Sequence, residues 1–338
     1  MSYEVIDADG HVTETWEQIA RHLEEPYQGR PLLTSFFPQD GWDRRLIGTK
    51  GDWAGDAKSW EQALDAGGMA ISVLYPTLGL MMQFLRDAEW AVALARAYNT
   101  MLCKELTGQS TRLKAVALLP LQDPEAAAQE LERAVGELGA VGGMLAADGD
   151  LLGHKRFDPI YTVAQRLGVP LCVHASGSDM GSSGWERFPK FIQAHTCSHA
   201  LAQMRQFTSV MFDGVPIRFP ELSLAFLEAG SGWVPYFLQR MDEEWDKRGH
   251  VEAKLLTKSP TEYVRSGQIF FSCEADEPLL PQALQWVGDE RILYASDFPH
   301  WDHSYPWSVR ELSERTDLSA VQKQRILADN ARRLYKFG

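Results

Sequence analysis

Side chains that commonly bind metal ions stand at the ends of four apolar, strand-like runs in this sequence. They are Asp9 with His11, His174, Glu228 and Asp297. Carboxylates and imidazoles together are suitable ligands for zinc, manganese and iron. A single histidine at a strand end is as easily a hydrogen-bonded core residue, but several unpaired polar groups at buried strand ends would destabilise the fold. The pattern therefore predicts a shared metal site.

Three polar residues, Asp7, Asp9 and His11, alternate along the first run. At the two-residue period of a strand they point to the same side. A solvated turn would also accommodate them. Because the apolar residues Val5 and Ile6 precede them, we favour metal ligation over a turn.

A histidine pair follows the fifth strand-like run. His195 and His199 are four residues apart, so on a helix they share a face. This spacing could supply ligands to a second metal ion, and it is just as common in a surface pair. We include His195, but not His199, among the candidate metal ligands.

Two side chains near the predicted metal site could transfer protons. His300 follows Asp297 by three residues, and an imidazole titrates near neutral pH. Glu228 could act as a base as well as a ligand, so we predict Glu228 and His300 as catalytic residues. His303 is interpreted as structural. Glu274 either orients a ligand or is an acid at a helix N-terminus.

The elements that must position these residues alternate between strand-like and helix-like patterns. Eight strand-like runs are recognisable: Val5–Asp7, Ala70–Tyr75, Leu113–Leu119, Val141–Leu145, Pro170–His174, Leu222–Leu227, Gln268–Cys273 and Ile292–Ala295. Such alternation is typical of parallel strands joined by crossover helices. We predict an α/β fold, a (β/α)8 TIM barrel that forms one domain over residues 1–338. The candidate ligands then meet, because active sites of barrels lie at the C-terminal ends of the strands.

A long irregular stretch, residues 26–62, is inserted after the first strand. It is rich in Pro, Gly and Asp and contains Trp42, Trp53 and Trp60. This stretch is too long for an ordinary connection. We predict a lid or substrate loop, with a surface excursion held by its aromatic residues as the alternative.

Composition excludes several classes of partner. The net charge of −13 argues against a nucleic-acid groove or an anionic membrane surface, which need clustered Lys and Arg. No apolar run is long enough to span a membrane, and no secretion signal precedes the first strand. The four cysteines lack metal or redox spacing, so we interpret them as unpaired thiols of a reducing compartment. These features predict a cytoplasmic protein that acts on a small molecule.

The motifs that carry the candidate ligands resemble a known family. They are Ile6-Asp-Ala-Asp-Gly-His11, Pro170-Leu-Cys-Val-His174, Gly214-Val-Pro-Ile-Arg-Phe-Pro-Glu-Leu222 and Tyr294-Ala-Ser-Asp-Phe-Pro-His300. The chain is similar to the amidohydrolase-related TIM barrels that include the aminocarboxymuconate semialdehyde and resorcylate decarboxylases. The resemblance implies that Asp9, His11, His174 and Asp297 are metal ligands. The first-strand pair is Asp-x-His here, whereas His-x-His or Glu-x-His is commoner in that family.

A second departure from the family is Glu228, which occupies the position of a histidine thought to act in the decarboxylases. With Glu228 the site offers three carboxylates and at least two imidazoles, more than one tetrahedral zinc needs. This set resembles a small branch of the same family that works as dinuclear-iron oxygenases, the type that hydroxylates a diterpenoid in platensimycin biosynthesis.

Two mechanisms remain open, and the oxidative one is our leading hypothesis. Two iron ions would activate dioxygen to hydroxylate a C–H bond of a small organic acid or natural product. That chemistry requires an external electron donor, because the sequence shows no flavin or Fe–S motif. The alternative is a mononuclear Zn or Mn hydrolase or non-oxidative decarboxylase that uses activated water or Lewis-acid catalysis. A barrel that only binds is a third class, and a homodimer is expected from the family alone.

Overall fold

The computed structural model describes residues 3–29, 36–37, 54–177 and 184–337. Its centre is one sheet of eight parallel strands in sequential order. The strands are β1 Ile6–Val12, β2 Ile71–Pro76, β3 Leu113–Leu118, β4 Gly142–Ala146, β5 Leu171–His174, β6 Leu224–Phe226, β7 Ile269–Cys273 and β8 Ile292–Tyr294. The predicted (β/α)8 barrel is confirmed.

Helices surround the sheet and connect its strands. In chain order they are α1 Trp16–Ala20, α2 Ala57–Gly67, α3 Ala88–Met101, α4 Pro124–Leu138, α5 Asp158–Leu167, α6 Phe191–Phe212, α7 Val215–Arg218, α8 Val234–Glu252, α9 Pro260–Ser266, α10 Leu280–Val287, α11 Ser308–Glu314, α12 Ala320–Gln324 and α13 Asn330–Tyr335. A 3-10 helix, Leu78–Phe84, precedes α3, and π-helical turns follow α3 and α12.

The strands are apolar because both of their faces are covered. Every residue of β3 except Lys114, and every residue of β4 to β8, is buried. Parallel strands under helices lack the polar alternation of a half-exposed sheet for this reason. The same burial makes the few polar residues on these strands, such as His174, informative about function.

Backbone hydrogen bonds close the barrel between β1 and the chain that follows β8. The Asp297 amide donates to the Asp9 carbonyl at 2.9 Å, and the His11 amide donates to the Phe298 carbonyl at 2.7 Å. A bulge interrupts β1, because Asp7 pairs with Ser72 whereas Gly10 pairs with Leu74. The bulge breaks the two-residue period along β1.

The predicted lid, residues 26–62, is wrong at its C-terminal end. Helix α2 begins at Ala57, capped by the Asp56 side chain, and Trp60 is fully buried within it. Trp60 packs against Phe298 with ring centroids 5.2 Å apart, so it belongs to the core. Trp42 and Trp53 lie outside the described residues, and the lid remains a prediction for that part of the chain.

Two further expectations can be compared with the structure. All four cysteines are free thiols, and three of them are buried, which confirms that they are unpaired. Within the described ranges, no helix is both long and apolar enough to cross a membrane.

Candidate metal centre

The candidate ligands meet at the C-terminal ends of β1, β5, β6 and β8. Asp9, His11 and His174 form one group of donor atoms, all within 4.8 Å of one another. His174 Nε2 lies 3.3 Å from Asp9 Oδ1, and His11 Nε2 lies 3.5 Å from the same oxygen. Five residues scattered over almost 300 positions are thus brought to one end of the barrel, as the sequence analysis requires.

The donor atoms of this first group are buried, and within the described part of the chain they make no hydrogen bond. They include both carboxylate oxygens of Asp9 and the Nε2 atoms of His11 and His174. Buried polar atoms are almost always satisfied in folded proteins, so a set of exceptions at one point needs an explanation. Metal–ligand bonds of about 2.1 Å place neighbouring donors about 3.0–3.4 Å apart in octahedral or tetrahedral geometry. The observed separations of 3.3 and 3.5 Å lie close to the upper end of this range, so the residues fit a divalent cation.

Backbone carbonyls hold the two imidazoles in the orientation that ligation needs. His11 Nδ1 lies 2.8 Å from the Pro76 carbonyl, and His174 Nδ1 lies 2.8 Å from the Ala175 carbonyl. A carbonyl can only accept, so in each ring Nδ1 carries the proton and Nε2 presents its lone pair. This is how metal-binding histidines are usually fixed by their surroundings.

A second group of donors adjoins the first and shares His11. It consists of His11, Glu228, Asp297 and His300, again within 4.8 Å of one another. Asp297 Oδ1 lies 3.3 Å from His11 Nε2 and 2.8 Å from His300 Nδ1. Glu228 Oε1 lies 3.5 Å from His300 Nδ1. The site therefore offers more donors than one cation uses.

Glu228 and Asp297 also have left-handed backbone conformations, with φ of 53° and 52°. Residues other than glycine seldom adopt this region, and it costs about 1–3 kcal/mol where it occurs. Glu228 and Asp297 lie two and three residues beyond the ends of β6 and β8, at the barrel mouth. Such strain clusters at functional sites.

Burial and charge shift the pKa values in opposite directions across the site. Burial raises the pKa of Asp9 and that of Asp297. Burial opposes the charged form of His174, but Glu228 and Asp9 raise its pKa to about 9. Burial likewise opposes ionisation of Glu228, but His174 and His199 lower its pKa well below its usual range. Without a cation, the carboxylates must therefore share protons with the imidazoles, which marks a site that needs positive charge.

His195 lies outside both donor groups within the described residues. Its ring packs 4.8 Å from that of His199 and 5.3 Å from that of Trp301, and its Nε2 lies 3.6 Å from Asp302 Oδ2. His199, one helical turn further along α6, is the nearer of the pair, with Nε2 3.6 Å from Glu228 Oε2. Neither histidine of the pair belongs to a donor group of the described residues, so ligation by His195 stays a prediction. Helical spacing alone does not tell which of the two points to the barrel.

Comparison with known proteins decides the family. A model of the amidohydrolase family, of the type Amidohydro_2, matches residues 6–337. The chain belongs to this amidohydrolase family. It is therefore a metal-dependent enzyme of the amidohydrolase-related type, as the sequence motifs predict.

Several decarboxylases are similar to this chain over most of their length. Gamma-resorcylate decarboxylase of Rhizobium radiobacter is 29% identical over 278 residues, which cover 75% of this chain and 80% of the relative. The 2-amino-3-carboxymuconate-6-semialdehyde decarboxylase of Dictyostelium discoideum is 26% identical over 292 residues, which cover 82% of this chain and 77% of the relative. A crystal structure of 5-carboxyvanillate decarboxylase from Novosphingobium aromaticivorans, with manganese and a nitrobenzoic acid, superposes with a TM-score of 0.77 at 22% identity over 99% and 97% of the chains.

Three neighbours of the amidohydrolase site were missed by the sequence analysis. Thr77 Oγ1 lies 3.2 Å from His300 Nε2, and the Glu228 amide donates to Ser272 Oγ at 3.0 Å. Asp302 lies beside His195. Hydroxyl residues at strand ends give no signal of their own in a sequence, since Ser and Thr are common there for many reasons.

His303 and Glu274 also lie outside both donor groups of the described chain. His303 Nδ1 accepts from the Tyr305 amide at 2.9 Å, and its ring packs against Phe298, which agrees with a structural role. Glu274 directly follows β7 and is exposed, and its amide donates to Glu277 Oε1 at 2.7 Å.

Proposed function

We propose that this amidohydrolase is a metal-dependent, non-oxidative decarboxylase of a small carboxylic acid. The observation that carries the proposal is the set of unpartnered, buried donor atoms of Asp9, His11 and His174. The two relatives named above are decarboxylases, which supports decarboxylation over hydrolysis. This was the alternative in the sequence analysis, and it now replaces the oxygenase as the first choice.

Asp9, His11 and His174 would hold the cation, with Asp297 at the edge of the group. A divalent cation there would act as a Lewis acid that orients and polarises an oxygen of the substrate. Once these residues are ligands, their donor atoms have no proton to give, and the Nδ1 protons of the two imidazoles are held by backbone carbonyls. Proton transfer must therefore come from the second group.

His300 is the candidate proton donor, and Glu228 is its partner. When the carboxyl group leaves as CO2, the C–C bond breaks and its electron pair remains on carbon. A proton from His300 Nε2, the ring nitrogen 3.2 Å from Thr77 Oγ1, then forms the new C–H bond, and a proton from water replaces it. Glu228 Oε1 lies 3.5 Å from Nδ1 of the same ring and stabilises its protonated form. Asp297, 2.8 Å from His300 Nδ1, orients the ring for this transfer.

Glu228 is the main difference from the decarboxylase pattern described above. A carboxylate cannot imitate an imidazolium as a proton donor when its pKa is low. Here three imidazoles surround it, at 3.2 Å (His174), 3.6 Å (His199) and 3.5 Å (His300). His300, on the loop after β8, would therefore donate the proton in this chain.

The proposal is tested by following CO2 release under argon from the protein loaded with Mn²⁺. The probes are 2,6-dihydroxybenzoate and 5-carboxyvanillate, which represent the substrate class of the relatives. Release of CO2 without oxygen, abolished by a chelator and restored by Mn²⁺, is expected. Turnover of a substrate only with oxygen and a reductant would contradict the proposal.

The oxygenase remains a second candidate because of one observation. The second donor group supplies Glu228, Asp297 and His300 in addition to the first group, and carboxylates beside imidazoles suit a pair of iron ions. Dioxygen and an external electron donor would be required. Two irons per chain together with substrate-dependent oxygen consumption would favour this candidate, whereas one Mn or Zn per chain would oppose it.

A further inference from the structure

Asp7 is a fully buried carboxylate that the metal centre does not use. It stands first in the series Asp7, Asp9 and His11, yet it belongs to neither donor group of the described residues. The alternation along β1 suggests that Asp7 shares the metal site with Asp9 and His11, but only Asp9 and His11 belong to a donor group of the described residues. The β1 bulge between Asp7 and Gly10 explains this, because it breaks the alternation that would align Asp7 with Asp9.

The carboxylate of Asp7 accepts four hydrogen bonds from three parts of the barrel. Oδ1 accepts from the Ser296 amide at 2.8 Å and from the Asp9 amide at 3.3 Å. Oδ2 accepts from the hydroxyls of Ser72 at 2.6 Å and Ser296 at 2.8 Å. All of these groups are buried. One side chain thus joins β1, β2 and the chain that follows β8.

Three of those bonds are donated by Asp9 and Ser296, which are a candidate ligand and the neighbour of one. Ser296 directly precedes Asp297. The backbone hydrogen bonds that close the barrel, from Asp297 to Asp9 and from His11 to Phe298, join the same two chain segments. We call this junction of residues 7–11 and 296–298 the seam. Asp7 lies in this seam and fixes the two chain segments relative to each other.

We propose that Asp7 is a positioning residue that sets the separation of Asp9 and Asp297 at the metal centre and is not a ligand. The inference rests on the proposed metal-dependent function. Groups that orient metal ligands typically contribute 10–100-fold to metal affinity. Asp7 differs from most of them because it acts through backbone amides, and so it fixes two ligands at once.

The first test measures Mn²⁺ affinity by competition with a chelator in Asp7→Ala, Asp7→Asn and Ser72→Ala. Asp7→Ala should weaken binding about 10–100-fold. In Asp7→Asn the amide oxygen still accepts from both backbone amides, and the serine hydroxyls can turn to accept from its NH2 group. That variant should therefore bind more tightly than Asp7→Ala, and Ser72→Ala should also lose less. Wild-type affinity in folded Asp7→Ala would overturn the proposal.

Asn99→Ala is the matched control for a general loss of stability. Asn99 is buried, and it donates to the Leu118 carbonyl at 3.0 Å and accepts from the Leu118 amide at 2.8 Å. It ties α3 to β3 as Asp7 ties β1 to β8, but β3 contributes no candidate ligand. We expect this variant to unfold more easily while its Mn²⁺ affinity stays within twofold of wild type. An equal loss of affinity in Asn99→Ala would make the role of Asp7 merely structural and overturn the proposal.

Hydrogen exchange of the cation-free proteins separates this inference from the proposed function. Asp7→Ala should accelerate exchange both in residues 5–12 and in residues 292–298, whereas Asn99→Ala should affect the region of Leu118. Asp7→Asn and Ser72→Ala provide the same measurement if Asp7→Ala does not fold. If the wild type binds no Mn²⁺, the proposed function fails, and the exchange data still decide the role of Asp7. Acceleration confined to residues 5–12 would contradict it.

Discussion

Glu228→Gln is the substitution that best separates binding from catalysis at this site. The side chain keeps its shape and loses its charge. Glu228 faces His174 Nδ1 at 3.2 Å, His199 Nε2 at 3.6 Å and His300 Nδ1 at 3.5 Å. At an effective dielectric constant of about 20, a charged imidazole at such a distance interacts with the carboxylate by about 4–5 kcal/mol. The substitution removes this attraction from every imidazole that is protonated.

Mn²⁺ binding and turnover should respond differently to this substitution. The group formed by Asp9, His11 and His174 is complete without Glu228, so Mn²⁺ should remain bound. A proton-transfer partner contributes about 10²–10⁴-fold to turnover, and kcat should fall by that factor. In the cation-free protein, the pKa of His174 should drop from about 9, because Glu228 is the main charge that raises it against burial.

The assays are metal analysis, steady-state decarboxylation and NMR titration of the imidazoles. Glu221→Gln is a suitable control, since Glu221 is exposed, precedes β6 at the opposite end of the barrel and lies in neither donor group of the described residues, and its turnover should change less than twofold. Loss of Mn²⁺ in Glu228→Gln would show that Glu228 is a ligand, and kcat within tenfold of wild type would refute its catalytic role.

Three other outcomes follow from the structure. Mn²⁺ at about 100 times its Kd should stabilise the protein by about 2.7 kcal/mol, which raises Tm by about 4 °C for a chain of this size in a thermal melt; an unchanged Tm would mean no binding. Gly10→Ala should cost about 1–3 kcal/mol in urea unfolding, because a Cβ there would lie 2.4 Å from Ser72 Oγ and 2.6 Å from Trp60; wild-type stability would show that the seam is loosely packed. Burial raises the pKa of Glu14 from 4.5 to about 7, so ionisation opposes folding, and about 3 kcal/mol of stability should be lost as pH rises from 4.5 through 7. Glu14→Gln should flatten that slope, and an identical pH profile in both proteins would contradict the shift.

The strands and the ends that carry ligands could be predicted because both depend on local pattern. Buried parallel strands are apolar throughout, so a polar residue at the end of one, such as His174 or Asp297, stands out. The family motifs then restricted the candidate reactions to those of metal-dependent barrels. These features need no knowledge of which strands are neighbours.

The positions of Asp7, Trp60 and His195 depend on tertiary geometry, which residue types and spacing alone do not reveal. Asp7 was grouped with Asp9 and His11 because the bulge in β1 has no signature in the residue types. Trp60 was assigned to a lid, although α2 buries it in the core. His195 was preferred to His199 because the direction of α6 relative to the barrel was unknown. The preference for an oxygenase came from counting donors, without evidence for the number of cations.

The central claim is that Asp9, His11 and His174 hold one divalent cation. Crystals grown with Mn²⁺ and measured at the manganese absorption edge test it most directly. The account predicts an anomalous scattering peak in contact with an Asp9 carboxylate oxygen and with Nε2 of both histidines. Well-ordered side chains with no peak between them would contradict it.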